Sequence, residues 1–345
     1  METVHDTDVV FEAVAESGLR ATIGKCMMDF DAQVPTRLQE QTRASIDESV
    51  AIRTRWDGAA NGRLRAAFAP RFAVSCSREL LEAVAQPVGA STTRSCTRTR
   101  RNRATRSRSS SKLTGGLTQH RVPRERCASR RRTCARRTAC GWTIASRQLL
   151  ADHDVKVMHC PGSNLKLGSG IAPVPEMRAR GITVSLGADG AACNNRLDMF
   201  EEMRLAAVLQ AMRAAAGRRC RRATCCGWRR ARARARSGSR TRSDRSRPGK
   251  RADLIVVDRD RPHLAPGPDP YSTLVYAARG SDVRTTIVDG EVLVDEFAPV
   301  RVDRAEIAAR GAQSRAQLAS CAGSASVRRQ TRCCIIDLAV IASDC

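Results

Sequence analysis

Nowhere in the 345 residues is there an apolar run near the roughly 18 to 20 residues that a membrane-spanning helix needs. The opening Met1-Glu-Thr-Val-His-Asp6 has neither a basic nor an apolar leader segment. A soluble, cytoplasmic protein with no membrane partner is therefore expected. Aromatic residues make up only 3% of the chain. No series of them is interleaved with the arginine runs, so the stacking platform of a single-stranded nucleic-acid binder is missing. Cysteine is plentiful at 15 residues, yet no Cys-x-x-Cys is matched by a second pair or a His-x-His, which argues against a structural zinc site. No internal repeat is visible.

Acidic residues are absent where basic ones abound. From Gln86 to Arg147 there are 16 Arg, one Lys, one Glu and no Asp; from Ala214 to Arg247 there are 13 Arg, one Asp, no Glu and no Lys. These two segments carry +16 and +12 of a total of +25, so the other 249 residues sum to −3, the balance of an ordinary enzyme. A net charge of +25 would by itself suggest a nucleic-acid partner. Its confinement to two blocks makes that partner unlikely on sequence grounds.

What remains reads as folded α/β material. Val9, Phe11, Ala13 and Val14 follow helical spacing, while Ile182–Leu186 and Leu254–Val257 read as strands. After Val302 an Ala-rich helix is expected. The stretch Arg229–Arg236, Arg-Arg-Ala-Arg-Ala-Arg-Ala-Arg, is too poor in large apolar side chains to offset the entropy of ordering it. Only Cys26, Cys76, Cys160 and Cys193 fall in the coherent parts.

Several of these parts carry a resemblance. His159-Cys-Pro-Gly-Ser-Asn-Leu-Lys-Leu-Gly-Ser-Gly-Ile-Ala-Pro-Val174 and Val184-Ser-Leu-Gly-Ala-Asp-Gly-Ala-Ala-Cys-Asn-Asn-Arg-Leu-Asp-Met-Phe-Glu-Glu-Met-Arg204 resemble the last two barrel strands of metal-dependent deaminases of the amidohydrolase superfamily. Pro248–Asp258 resembles the strand returning to their small β-domain. Gly24–Asp29 and Ala69–Ser77 resemble barrel strands three and four, with a likeness to guanine deaminase. The Asp189–Asn195 run is closer to deaminases of 5′-modified adenosines. The resemblance implies a fold of the α/β class: a (β/α)8 TIM barrel, here incomplete, with the remnant of a C-terminal β-sandwich domain. It implies one divalent metal, zinc or iron, that acidifies a water for attack on an aminopurine carbon and expulsion of ammonia. The substrate implied is a small purine or nucleoside: guanine, 5′-deoxyadenosine, methylthioadenosine or adenosylhomocysteine.

The family's ligands are a His-x-His on strand one, a His with a Glu three residues on at strand five, a His on strand six and an Asp on strand eight. Only the Asp, Asp189, is legible, and the strand-one pair is expected upstream of Met1. The arginine blocks have an explanation in the genetic code. Joining each third codon base to the next residue's first two permits His-Thr-His-Ala-Ser-Glu across Cys96–Asn102. The same shift permits His-Cys-Val-Trp-Leu-Asp-Asp-Arg-Glu across Arg137–Ser146 and Glu-Asp-Glu-Ile-Gly-Ser-Ile-Glu across Ser239–Arg247. One shift thus gives family-like text in three places and in the correct order. The blocks are read as out-of-frame translations of barrel segments.

The expected organisation is 1–85 for barrel strands two to four, 86–147 for an out-of-frame block at strands five and six, 148–213 for strands seven and eight, 214–247 for a second out-of-frame block, 248–300 for the β-domain segment and 301–345 for a tail. Asp189 is the candidate catalytic and metal-ligating residue. Arg71 and His159 are the candidate substrate-binding residues. Arg71 resembles a strand-four arginine that holds a purine carbonyl, with a surface guanidinium as the alternative; for His159 the alternative is packing or support at a strand end. His5 is expected to be a solvated or capping residue. Asn194 and Asn195 are expected to cap the helix starting near Leu197 and steady the loop behind Asp189, while Gly187 and Gly190 serve backbone geometry. With imidazoles missing, the metal is not expected to be retained, and loss of whole strands would leave the barrel with open edges.

Overall fold

The computed structural model describes residues 6–30, 39–71, 75–85, 95–98, 133–137, 144–213, 251–267 and 269–321. Met1–Val300 belong to one compact unit and Arg301–Cys345 to a second.

The first unit begins with α1 (Thr7–Glu16), where the apolar spacing read from the sequence becomes a helix whose Phe11 is fully buried. Phe11 stacks on Trp56 of α2 (Thr42–Trp56), with ring centroids 5.2 Å apart and planes 7° apart. Asp8 accepts a hydrogen bond from the Trp56 indole Nε1 at 2.5 Å, so the half-buried indole keeps a polar partner. Ile52, Leu64 and Ala66 complete this cluster.

Two interrupted strands follow. β1 (Ala21–Ile23) pairs in parallel with β3 (Leu64–Ala66), and β2 (Cys26–Met27) with β4 (Ala69–Pro70). At the break between β1 and β2 a Cβ on Gly24 would lie 2.4 Å from the Ala67 carbonyl oxygen, so only glycine permits this approach. Beyond them, β5 (Ser95–Arg98), β6 (Thr133–Arg137), β7 (Lys156–His159) and β8 (Val184–Leu186) form a parallel sheet in chain order. Its register aligns Arg98 with Arg136, Arg137 with Met158 and His159 with Leu186.

Helices alternate with these strands: α2 after β2, α3 (Arg78–Ala85) after β4, α4 (Ile144–Asp152) before β7, α5 (Pro161–Lys166) and α6 (Val174–Ala179) before β8, and α7 (Met199–Arg213) after it. Parallel strands joined sequentially through helices are the construction of a β/α barrel. The burial pattern agrees. Val157, Met158 and His159 are buried in succession, as are Val184, Ser185 and Leu186, which a strand covered on both faces requires. Val157, Val184 and Leu186 pack with Leu150, Met177, Phe200, Met203 and Ala206 in the main core.

The first arginine-rich block supplies β5 and β6, contrary to the expectation that whole strands would be lost there. Backbone pairing needs no particular side chains, so a block without apolar alternation can still occupy a rung of the ladder. The second block and His5 lie outside the described residues.

An antiparallel sheet in the order β12–β11–β10–β9 closes the unit: β9 (Leu254–Val257), β10 (Val283–Val288), β11 (Glu291–Asp295) and β12 (Ala298–Pro299). Asp289 and Gly290 join β10 to β11 with φ of 57° and 89°, the two left-handed residues of a tight hairpin. Arg20, just before β1, ties this sheet to the barrel: its Nε and NH2 donate to Asp253 at 2.6 and 3.0 Å. Its NH2 also lies 3.2 Å from Asp289. In the second unit the expected helix is α8 (Arg304–Cys321), capped by the Asp303 carboxylate, which accepts from the Ala305 amide at 2.7 Å.

Candidate functional site

The C-terminal ends of β7 and β8 meet through a backbone hydrogen bond from the Gly187 amide to the His159 carbonyl, 2.9 Å long. Two of the three candidate residues stand here. Asp189 follows β8 by three residues and has φ of 70°, a left-handed conformation that turns the chain sharply out of the strand. Its Oδ2 accepts from the Ser163 hydroxyl at 2.9 Å and its Oδ1 from the Gly190 amide at 3.0 Å. Strain at the exit of a barrel strand is therefore placed at the carboxylate itself, and hydrogen bonds orient it.

His159 ends β7 and is 1% exposed, and among the described residues neither ring nitrogen has a hydrogen-bond partner. Burial lowers its pKa to about 4, so the imidazole is neutral at ordinary pH. A buried imidazole at this strand end suits packing or support there as well as contact with substrate.

Arg71 follows β4, on a strand pair separate in hydrogen bonding from the β5–β8 sheet. Its guanidinium NH1 lies 4.0 Å from the Cys26 sulfur. It is half-buried, and its charge opposes the effect of burial, which pushes the Cys26 thiol up.

Of the roles expected for the asparagines, Asn194 steadies the loop at Asp189 but does not cap the helix. Helix α7 is capped by Asp198, whose Oδ1 accepts from the Phe200 amide at 2.8 Å. Asn194 instead donates through Nδ2 to the Ala188 carbonyl at 3.0 Å, steadying the loop before Asp189. Capping requires a side chain next to the first turn, and Asn194 lies too far upstream. Asn195 accepts a hydrogen bond from Lys166. Gly187 meets the Cys160 sulfur, 3.2 Å from where a Cβ would sit, whereas a Cβ on Gly190 would meet open space.

Sequence reasoning missed Glu202. It is 1% exposed on α7, and burial raises its pKa to about 7. Its Oε2 accepts from the Gly162 amide at 3.0 Å and its Oε1 from Asn194 Nδ2 at 2.6 Å. A signal was present: Glu202 falls among Phe200, Met203, Ala206, Ala207 and Gln210, all on the buried face of the helix. A carboxylate in such a stripe needs dedicated partners.

A catalytic zinc takes three protein ligands, and among the described residues no group of three or more His, Cys, Asp or Glu is placed to hold a metal ion. Asp189 contributes one carboxylate, already engaged by Ser163 and Gly190. The described residues do not fit the metal.

The amidohydrolase family model matches residues 1–293. The chain belongs to the amidohydrolase family. It is thereby an enzyme by family, and its fold is of the TIM-barrel type found among the structural neighbours. A 5-methylthioadenosine/S-adenosylhomocysteine deaminase of Haloarcula marismortui is 33% identical over 332 residues, 92% of this chain and 71% of the relative. A 5'-deoxyadenosine deaminase of Methanosarcina acetivorans is 31% identical over 87% of this chain and 67% of the relative. A Halobacterium salinarum protein of the first name is 45% identical over 185 residues, 52% of this chain but 42% of its own length. Among solved structures, an adenosine deaminase from Xanthomonas campestris with bound zinc superposes with a TM-score of 0.80 at 25% identity, covering 91% of this chain and 70% of that one. The guanine deaminase of C. acetobutylicum, with bound guanine, has a TM-score of 0.71 at 19% identity over 83% of this chain and 68% of that one; at that identity the likeness is one of fold. No helix among the described residues is long and apolar enough to cross a membrane.

Proposed function

We propose that this amidohydrolase chain descends from a hydrolytic deaminase of adenosine-type nucleosides, and that in its present reading it is not a catalyst. In the ancestral reaction water replaces the amino group at purine C6, giving the 6-oxo nucleoside and ammonia. The observation that carries the lineage is Asp189, presented at the exit of β8 in a left-handed conformation with Ser163 and Gly190 fixing its two oxygens. The names of the relatives supply the substrate class. His159 and Arg71 are read as substrate-side residues, and the β9–β12 sheet as the remnant of the C-terminal β-domain.

The second half of the reading rests on residue type: where the family's strand-five and strand-six imidazoles are expected, the sequence offers Thr99 and Thr138. Strand boundaries support its cause. β5 ends at Arg98 and β6 at Arg137. The shifted reading places imidazoles between Arg98 and Thr99 and between Arg137 and Thr138. Both therefore fall where the two strands end, the positions from which a β/α barrel draws its chemistry.

The test has three arms. Sequencing the gene should find codons that permit the shifted readings; codons incompatible with them remove the frame explanation. The chain as written should hold far less than one zinc or iron per molecule and release no ammonia from adenosine, 5′-deoxyadenosine or methylthioadenosine above background. A chain with both blocks returned to frame should take up metal in the same assay. Stoichiometric metal and turnover by the chain as written would defeat the claim that it is not a catalyst.

A further inference from the structure

Two arms reach Asp189, one to its carboxylate and one to the backbone just before it, and one buried side chain underlies both. On one side, the Ser163 hydroxyl donates to Asp189 Oδ2 at 2.9 Å, and the preceding Gly162 amide donates to Glu202 Oε2 at 3.0 Å. On the other, the Ala188 carbonyl, one residue before Asp189, accepts from Asn194 Nδ2 at 3.0 Å, and the same nitrogen donates to Glu202 Oε1 at 2.6 Å. An amide nitrogen has two hydrogens, so Asn194 can serve both acceptors at once. The connections close a ring from Glu202 through Gly162, Ser163, Asp189, Ala188 and Asn194 back to Glu202.

The ring is closely fitted. A Cβ on Gly162 would lie 2.4 Å from Glu202 Oε1 and 2.9 Å from Asn194 Nδ2, so glycine is what admits the carboxylate. Asn194 and Ser163 are themselves buried, 8% and 1% exposed. An apolar side chain at position 202 would suit the surrounding Phe200, Met203 and Ala206 better than a carboxylate does. Packing alone therefore gives no account of Glu202, whereas its two acceptor contacts do.

We propose that Glu202 is a positioning residue for Asp189, holding its carboxylate through Gly162–Ser163 and the backbone that presents it through Asn194–Ala188. The hold stands on the hydrogen bonds; its importance to a reaction rests on the reading of Asp189 given above.

The experiment uses the full chain labelled with 13C at the aspartate carboxyl carbons, with the Asp189 resonance assigned by Asp189→Asn. Glu202→Met, which keeps the volume and removes both acceptors, should move that resonance at fixed pH. It should also speed exchange of the Gly190 amide, which donates to Asp189 Oδ1, by at least about tenfold, the equivalent of roughly 1.4 kcal/mol of lost protection. Glu202→Gln keeps one oxygen to accept from Gly162 but turns an amide nitrogen toward Asn194, so its effect should be smaller and in the same direction. Gln210→Met is the control. It removes another buried polar group of α7, bonded through Nε2 to the Ala172 carbonyl at 3.1 Å, and should leave the Asp189 resonance unmoved. If Glu202→Met fails to fold, Gly162→Ala, which pushes on the carboxylate from the opposite side, should move the same resonance. A resonance and an exchange rate that respond equally to Glu202→Met and Gln210→Met would overturn the proposal, leaving Glu202 as part of the packing. A moved Asp189 in a family whose frame-restored chain takes up no metal would retain the positioning role and remove the function.

Discussion

Two buried ionisable side chains, His159 and Glu202, lean in opposite directions, and their difference is measurable. His159 has its pKa lowered from 6.5 to about 4 by burial. Between those values the unfolded chain binds a proton that the folded one does not, so this contribution to stability grows as pH rises from about 4 and is complete above 6.5. At 1.36 kcal/mol per unit it is on the order of 3 kcal/mol. Glu202 has its pKa raised from 4.5 to about 7, chiefly by burial, against the hydrogen bonds from Gly162 and Asn194. Here the folded chain keeps a proton that the unfolded one has released, so stability falls as pH rises from 4.5 to about 7. Over the shared range the two limbs oppose each other. The urea midpoint of the wild-type chain should therefore change little between pH 4.5 and 6.5. His159→Leu should leave only the falling limb, and Glu202→Gln only the rising one. Since neither ring nitrogen of His159 has a partner among the described residues, His159→Leu should not lower the midpoint at pH 7. A profile for His159→Leu that superimposes on the wild type would show that this imidazole is not neutralised by the fold.

Among the elements, the broken strand β1–β2 offers the sharpest test of packing. A methyl at Gly24 would meet the Ala67 carbonyl oxygen at 2.4 Å, and that oxygen belongs to the backbone of the paired strand. The strands must separate, so Gly24→Ala should lower stability by about 1–3 kcal/mol, read from the denaturant midpoint at unchanged slope. Phe11→Ala, which removes a fully buried ring stacked on Trp56, should cost about 3–5 kcal/mol in the same measurement. A Gly24→Ala midpoint equal to the wild type would mean that the strands are not held as closely as their pairing indicates. Legibility varied with the physics of each element. β9 was readable as Leu254–Val257 because four apolar, largely β-branched residues lie between polar flanks. Helix α1 was readable from the spacing of Val9, Phe11, Ala13 and Val14. β5 and β6 were not, because parallel pairing is a backbone property and their residues, Ser-Cys-Thr-Arg and Thr-Cys-Ala-Arg-Arg, carry no alternation. Asp189 was found by its motif, but the ring through Ser163, Asn194 and Glu202 joins residues up to 40 positions apart and has no local signature.

At the scale of the whole molecule, charge separates the chain as written from the chain its barrel implies. The total of +25 is concentrated in two blocks, while the other 249 residues sum to −3. In the three windows where the shifted reading is explicit, Cys96–Asn102, Arg137–Ser146 and Ser239–Arg247, the present text is net positive and the shifted text net negative. A protein's net charge governs its adsorption to a charged surface, and the attraction is screened as ionic strength rises. On a cation exchanger at pH 7 the chain as written should be retained and elute only at high salt, whereas the frame-restored chain should elute near the start of the gradient. Nucleic acid provides the complementary measurement. The chain as written should bind duplexes of unrelated sequence with equal affinity and a steep loss with added salt, as expected of phosphate neutralisation by arginine without base contacts. Discrimination between sequences that survives at physiological salt would assign the arginine blocks a recognition role. That outcome would contradict the frame reading directly, because arginines produced by a shifted frame have no reason to be arranged for recognising bases.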